Sequence, residues 1–189
     1  MKENWASIAA AGLLLALAST ALPGCAALSV EEREAKRAEL DAMADTTIET
    51  LLETKPQSRE VLERSLGYIV IDMKVTKIPM VGAGSGLGVV VDRRTNTRSY
   101  LKVSRFEVGG GLGAQKFKAI IVFDDGKLLD RAAAGTWRYD AGAELAAGTA
   151  SSDGSVQAAP KGFQAYRLVE GGALATVTVR VARARPYLD

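Results

Sequence analysis

The sequence predicts an α+β domain: N-terminal helices followed by a largely antiparallel, strongly curved or barrel-like sheet with glycine-rich strands. Three observations predict it. Apolar residues recur at helical spacing from Leu40 to Leu52 and again at Val61, Leu62 and Leu66. From Tyr68 onward the period changes to two, the spacing of a strand with one buried face. Glycines then occupy alternate positions in two blocks, Gly82–Gly88 and Gly109–Gly113. Helices first and strands after them indicate segregated layers and not a βαβ alternation.

Ser29 followed by Glu32 reads as a capping box that opens the first helix. Its stripe is Leu40, Met43, Ala44, Thr47, Ile48, Leu51 and Leu52, while Arg33, Lys36 and Arg37 occupy the same face upstream. Only the second half is therefore expected to dock, and the helix ends near Lys55-Pro56. Ser58 is expected to cap a second short helix that Gly67 stops in the left-handed conformation. Tyr68–Ile71 reads as a short strand, Lys74–Met80 as a loop around Pro79, and Val81–Val91 as a long strand. Asp92–Thr97 is a hairpin tip from which Arg98–Arg105 returns. Val108–Gly113 and Lys116–Phe123 follow as strands, and Asp124-Asp125-Gly126 turns the chain. Lys127–Ala134 is a short helix stopped by Gly135, and Thr136 to Leu145 alternate as a half-buried strand. Gly148–Gly162 is a loop rich in Ser, Ala and Gly. Gly171-Gly172 is expected to join Phe163–Glu170 and Ala173–Ala184 in a hairpin, with Ala175, Val177, Val179 and Val181 facing in.

The 189 residues include no histidine and one cysteine, Cys25. That composition excludes Ser-His-Asp and Cys-His triads, zinc sites built on His or Cys, and haem attached through a cysteine pair. No cofactor, metal or catalytic residue is assigned, and the chain is not read as an enzyme. The formal net charge of +2 is no argument for nucleic acid. Trp5 to Leu22 is one apolar stretch behind Lys2, and Leu22-Pro23-Gly24-Cys25 closes it. The segment resembles a bacterial lipoprotein signal peptide with its lipobox. The resemblance implies removal of residues 1–24 and acylation of Cys25 as the lipid anchor, by palmitate or a similar chain. Each buried methylene adds about 0.8 kcal/mol, and more than one chain makes a stable anchor. Residues 25–55 are then tether and N-terminal helix, and 56–189 the folded domain. Ala26 after the cysteine implies, by the same resemblance, the periplasmic face of the outer membrane.

Gly82, Gly84, Gly86 and Gly88 bare one strand face, and Gly109, Gly111 and Gly113 repeat the device. Such rows weaken a strand, so close packing, strong curvature or a ligand groove must require them. Gly109-x-Gly111-x-x-Ala114 fits a loose dinucleotide pattern, but a strand follows where a helix should open. The run from Ser58–Gly67 into Tyr68-Ile69-Val70-Ile71, then the two glycine blocks with Ala114-Gln115, then Ile121-Val122-Phe123, resembles the SYLF domain over residues 56–189. Many relatives carry proline where this chain has Asp72. The resemblance implies a lipid-binding module without known catalysis. Some members bind membranes by a basic N-terminal helix. Here Glu31 to Glu53 contains eight acidic residues, which anionic lipid repels, so that role is not assigned.

Lys74, Lys77, Arg93, Arg94 and Arg98 are the candidate contacts to anionic lipid, the alternative being solvated charges that protect strand edges. Asp124 and Asp125 read as turn residues, and Trp137 and Tyr139 as core. The expected function is a non-enzymatic, membrane-anchored lipid-binding module of the bacterial cell envelope. The alternatives are a structural lipoprotein docking an envelope protein or the cell wall and, last, a carboxylate-based hydrolase. The oligomeric state is not fixed by the sequence.

Overall fold

A computed structural model describes residues 28–141 and 162–188. The fold is α+β, three helices with an antiparallel sheet curled into a half-barrel. Helix α1 spans Val30–Thr54 and α2 Ser58–Arg64. Strands β1 (Gly67–Ile78) and β2 (Val81–Asp92) form a hairpin, and β3 (Thr97–Phe123) follows. Helix α3 (Gly126–Ala133), β4 (Arg138–Ala141) and β5 (Phe163–Pro186) complete the chain.

The long strands wrap the hairpin. The first half of β3 pairs with β2 and its second half with β1, so β3 folds around the hairpin tip. Strand β5 pairs with β3 from Leu101 to Phe123 and wraps it in turn. The bend falls where Gly109, Gly111 and Gly113 take φ of +130°, +154° and +138°, a region nearly closed to other residues. There the Gly109 N–H donates to the Met80 carbonyl at 3.0 Å and the Gly111 N–H to the Pro79 carbonyl at 3.2 Å. These bonds tie the hairpin tip into the bend; this end of the half-barrel is called the apex below.

The glycine row of β2 faces the concave side. A Cβ on Gly84 would lie 2.7 Å from Val75 Cγ2, and one on Gly88 3.0 Å from Ile71 Cγ1. A Cβ on Gly86 would meet the Asp72 carbonyl and lie 2.6 Å from Met73 Sδ. The inward side chains of β1 therefore lie across the bare backbone of β2, which fixes a tight curl. Close packing and curvature are what this row is used for.

The concave face is filled by Ile69, Ile71, Met73, Val90, Leu101, Val103 and Ile121, with Leu129 and Ala132 of α3 plugging the base. Phe123, Trp137 and Phe163 meet there edge-on or tilted, with centroids 5.9–6.1 Å apart. They draw the beginning of β5 and the approach to β4 together, and such contacts add about 0.5–1.5 kcal/mol each beyond burial. On the convex face Leu40, Ala44 and Leu51 of α1 pack on Val70, Val89, Ile120 and Val122. Each fully buried leucine contributes about 1.5–3 kcal/mol. The capping box of Ser29 and Glu32 is formed, with Ser29 N–H donating to Glu32 at 2.7 Å.

Several elements differ from expectation. Lys74–Ile78 is strand and not loop, because β2 pairs with all of it and β3 with Lys74 to Lys77. Ser58 is the first residue of α2, whose N-cap is Gln57. Gly67 starts β1 and stops no helix; a Cβ there would strike the Val91 carbonyl and lie 2.9 Å from Leu129 Cδ2. Gly171-Gly172 makes no hairpin, since β5 runs on through it with Glu170 as the extra residue of a bulge. The two strands expected at Val108 and Lys116 are one bent strand. Residues 142–145 of the expected alternating strand and the loop up to residue 161 lie outside the described residues. So do Cys25 and the side chains of Tyr139, Ala175, Val177, Val179 and Val181.

Gly86→Ala is expected to lower stability by about 1–3 kcal/mol in denaturant unfolding, because backbone must move. Gly110→Ala, with nothing within 4 Å of its Cβ position, is expected to stay within about 0.5 kcal/mol of the parent. Equal effects at the two positions would contradict the packing argument.

Candidate functional site

The five basic residues picked from sequence go to three different places. Arg93 Nη1 donates to the carbonyls of Leu62 and Glu63 at the end of α2, the latter at 3.2 Å, and so satisfies a helix C-terminus. Arg94 pairs with Asp92 at 2.6 Å and with Asp130. The hydrogen bonds from Arg94 hold the Asp92 carboxyl below its ordinary value against the opposing effect of burial. Arg98 reaches Asp41 at 3.1 Å and Asp45 at 2.8 Å and clamps α1 to the sheet. These three stand at the β2–β3 turn, roughly 35 Å along β2 from the apex. Lys77 points inward near the apex, fully buried, with Nζ 3.8 Å from the equally buried Glu107 carboxylate, which also pairs with Arg105. Lys74 is exposed on the convex face. Asp125 caps α3, accepting from the Lys127 N–H at 2.7 Å, and Trp137 lies in the core.

The sheet register assembles a different site around Lys74. Lys74 is directly opposite Lys116 on β3 and Ser85 on β2. Ser85 is opposite Ser104, Ser104 opposite Arg183, and Arg183 opposite Arg138. One lateral row on the convex face thus reads Lys116, Lys74, Ser85, Ser104, Arg183, Arg138, and every member is exposed. At about 4.8 Å per strand the row is about 24 Å long. It contains no carboxylate. Like charges placed directly across a ladder destabilise it, and this row does so twice. Breaking a local rule in this way is what a functional surface can require.

The next row, toward α1, adds Lys118, Asp72, Leu87, Lys102 and Arg185. Its one acid, Asp72, is 3.0 Å from Lys118, which also holds Glu170 at 3.1 Å. Partial burial pulls the Lys118 ammonium down, but Asp72 and Glu170 outweigh it and keep the group charged. Those two carboxylates are thereby occupied. A groove of about 520 Å³ opens beside Lys74, Lys102 and Lys116, under Lys36 and Met43 of α1, with Glu39, Asp72 and Glu170 also in its wall. A second, of about 540 Å³, opens among Ser104, Phe106, Arg138, Arg183 and Arg185.

Toward the apex the rows become mostly apolar: Ala114, Thr76, Ala83, Phe106 and Val181, with Asp140 at the β4 edge, then Ile78, Val81 and Val108. Met80 and Leu112 complete the tip and are 65% and 66% exposed. Beneath it, on the concave side, the Phe117 ring lies between the guanidinium groups of Arg105 and Arg167, 5.6 and 4.1 Å from its centroid. With Lys77 and Glu107 these groups form a polar layer that supports the apex from inside.

Lys102, Lys116, Arg138, Arg183 and Arg185 were not singled out from sequence. Each is at an outward position of a strand, and outward parity was the available signal. Their grouping required the register of β3 against β1 and of β5 against β3.

No protein-family profile matches the chain. The chain is similar to Beta cell expansion factor A of Aeromonas veronii, 26% identical over 117 residues, which are 62% of this chain and 44% of that protein. The match therefore spans less than half the length of that relative.

Lys74→Gln is expected to raise stability by about 0.2–1 kcal/mol by removing the repulsion with Lys116. Thermal unfolding at low salt measures it, and a loss of stability would mean that Lys74 is held by the fold and not set against it.

Proposed function

We propose that this chain is a non-enzymatic, lipid-binding module of the bacterial cell envelope, tethered through acylated Cys25 at the periplasmic face of the outer membrane. The observation that carries the reading is the carboxylate-free row from Lys116 to Arg138, bordered by an exposed apolar apex. A row of fixed cations attracts a surface of anionic head groups, each cation near that surface adding about 1 kcal/mol. Ser85 and Ser104 at its centre supply hydroxyl donors for phosphate oxygens without adding bulk. The SYLF resemblance and the lipobox-like segment ending at Cys25 support the same reading. So does the spending of the best-placed acids on structure: Asp125 on a helix cap, Asp92 on Arg94, and Asp72 on Lys118.

Two experiments test it. Protein that begins at residue 25 and carries Cys25→Ser, and so has no acyl chain, is expected to sediment with vesicles containing phosphatidylglycerol, less so as salt rises, and weakly with phosphatidylcholine alone. The combined change Lys74→Gln, Lys116→Gln and Arg183→Gln is expected to weaken that binding by about 3 kcal/mol at low salt. Binding that ignores both salt and the triple change would remove the row from the mechanism. Co-purification of a defined envelope protein in place of vesicle binding would support the docking alternative. For the anchor, Cys25→Ser is expected to move the protein from the membrane fraction to the soluble fraction after a high-salt wash. Retention on the membrane after that wash would defeat the acyl tether.

A further inference from the structure

The apex itself is not explained by attraction to head groups. Ile78, Met80, Val81, Phe106, Val108 and Leu112 are all large, apolar and exposed, and they meet at one end of the half-barrel. Soluble monomers rarely keep such a contiguous patch without a use for it. The patch is also rigid. The Gly109–Met80 and Gly111–Pro79 hydrogen bonds lock the tip to the bend, and the buried Lys77–Glu107 pair braces it from below. An ordered tip spends little conformational entropy on entering another phase.

We infer that the half-barrel stands apex-down on an anionic bilayer, its tip in the edge of the hydrocarbon and its cationic row at the level of the phosphates. This rests on the lipid reading above and specifies how the surface is used. The spacing decides the depth. Ile78 and Lys74 are four residues apart on β1, about 13 Å along an extended strand, with the Thr76 row midway. A head-group layer is about 5–8 Å thick, so cations at the phosphates put the tip beyond that layer. The row runs across the strands, so it can lie parallel to a membrane only if the strands stand upright. Across β1, β2 and β3 the convex positions from the Lys74 row to the tip carry no carboxylate, and among the described residues the one acid in these rows is Asp140, at the β4 edge of the Thr76 row. Lysine stems extend toward the phosphates while their neighbours enter the apolar phase.

The experiment uses the chain from residue 25 onward with Cys25→Ser, which lacks Trp5 and the acyl chain, and places tryptophan at each end of the half-barrel, Met80→Trp at the apex and Thr95→Trp at the opposite turn. Each is mixed with phosphatidylglycerol vesicles whose acyl chains are brominated near the head group. Trp137 is buried in the core and supplies a constant background. Fluorescence at position 80 is expected to be quenched on binding, and that at position 95 to stay unchanged. Met80→Asp with Leu112→Asp is expected to reduce vesicle affinity at least about tenfold with the melting temperature unchanged, since both sites are exposed. Retained vesicle binding with position 80 unquenched would overturn the apex-down orientation and leave the lipid reading standing. Absence of binding by the parent protein would end the lipid reading itself. A change of oligomeric state on Met80→Asp in lipid-free buffer would make the apex a contact between copies and overturn the insertion.

Discussion

The structure depends on one packing relation: the inward side chains of β1 lie across the glycine face of β2. Ile71, Met73 and Val75 occupy the space that Cβ atoms on Gly88, Gly86 and Gly84 would need. With that space free the hairpin coils tightly, and only a tightly coiled hairpin is narrow enough for β3 to pair with both of its edges. Pairing on both edges forces β3 to bend at the tip, and Gly109 and Gly111 supply the backbone that can do so. Strand β5 follows β3 around the same bend. The half-barrel, its apex and the lateral rows on its convex face all descend from that first contact.

The two faces of the sheet divide the work. The concave face has an apolar base closed by α3 and the aromatic trio, and it becomes polar toward the apex at Lys77, Glu107, Arg105 and Arg167. A buried ion pair is weak evidence for stability, because desolvation offsets the attraction. Here it shapes the structure by standing beneath the turn that holds the tip. The convex face is covered by α1 over half its length and bare over the rest. Arg98, with Asp41 and Asp45, fixes where the helix stops covering. The helix is acidic and the bare region basic, so the charges of the chain are sorted along the convex face although their sum is near zero.

Much of the fold was legible from local chemistry. The capping box at Ser29, the stripe from Leu40 to Leu52, the turn at Asp125 and the left-handed Gly135 are determined within a few residues. The readings that changed involve partners far away in sequence. Lys74–Ile78 looks like loop beside Pro79 but is strand because β2 and β3 pair with it. Gly171-Gly172 looks like a hairpin turn but is crossed by a strand whose ladder to β3 outweighs the local preference. The arginines of the Asp92–Thr97 turn look free in sequence, yet Arg93, Arg94 and Arg98 each find acceptors on other elements.

The sequence by itself determined the class of fold, the boundaries of the first helix, the glycine faces and the absence of histidine-based and thiol-pair chemistry. These follow from periodicity, capping and composition, which act over short distances along the chain. Only the tertiary structure decided which cations share a surface. Lys116, Lys74, Arg183 and Arg138 come from four strands, and their alignment is a matter of ladder register. Register is settled by the fit of Ile71, Met73 and Val75 over the glycine face and by the bend at the tip, contacts between residues that no local pattern links.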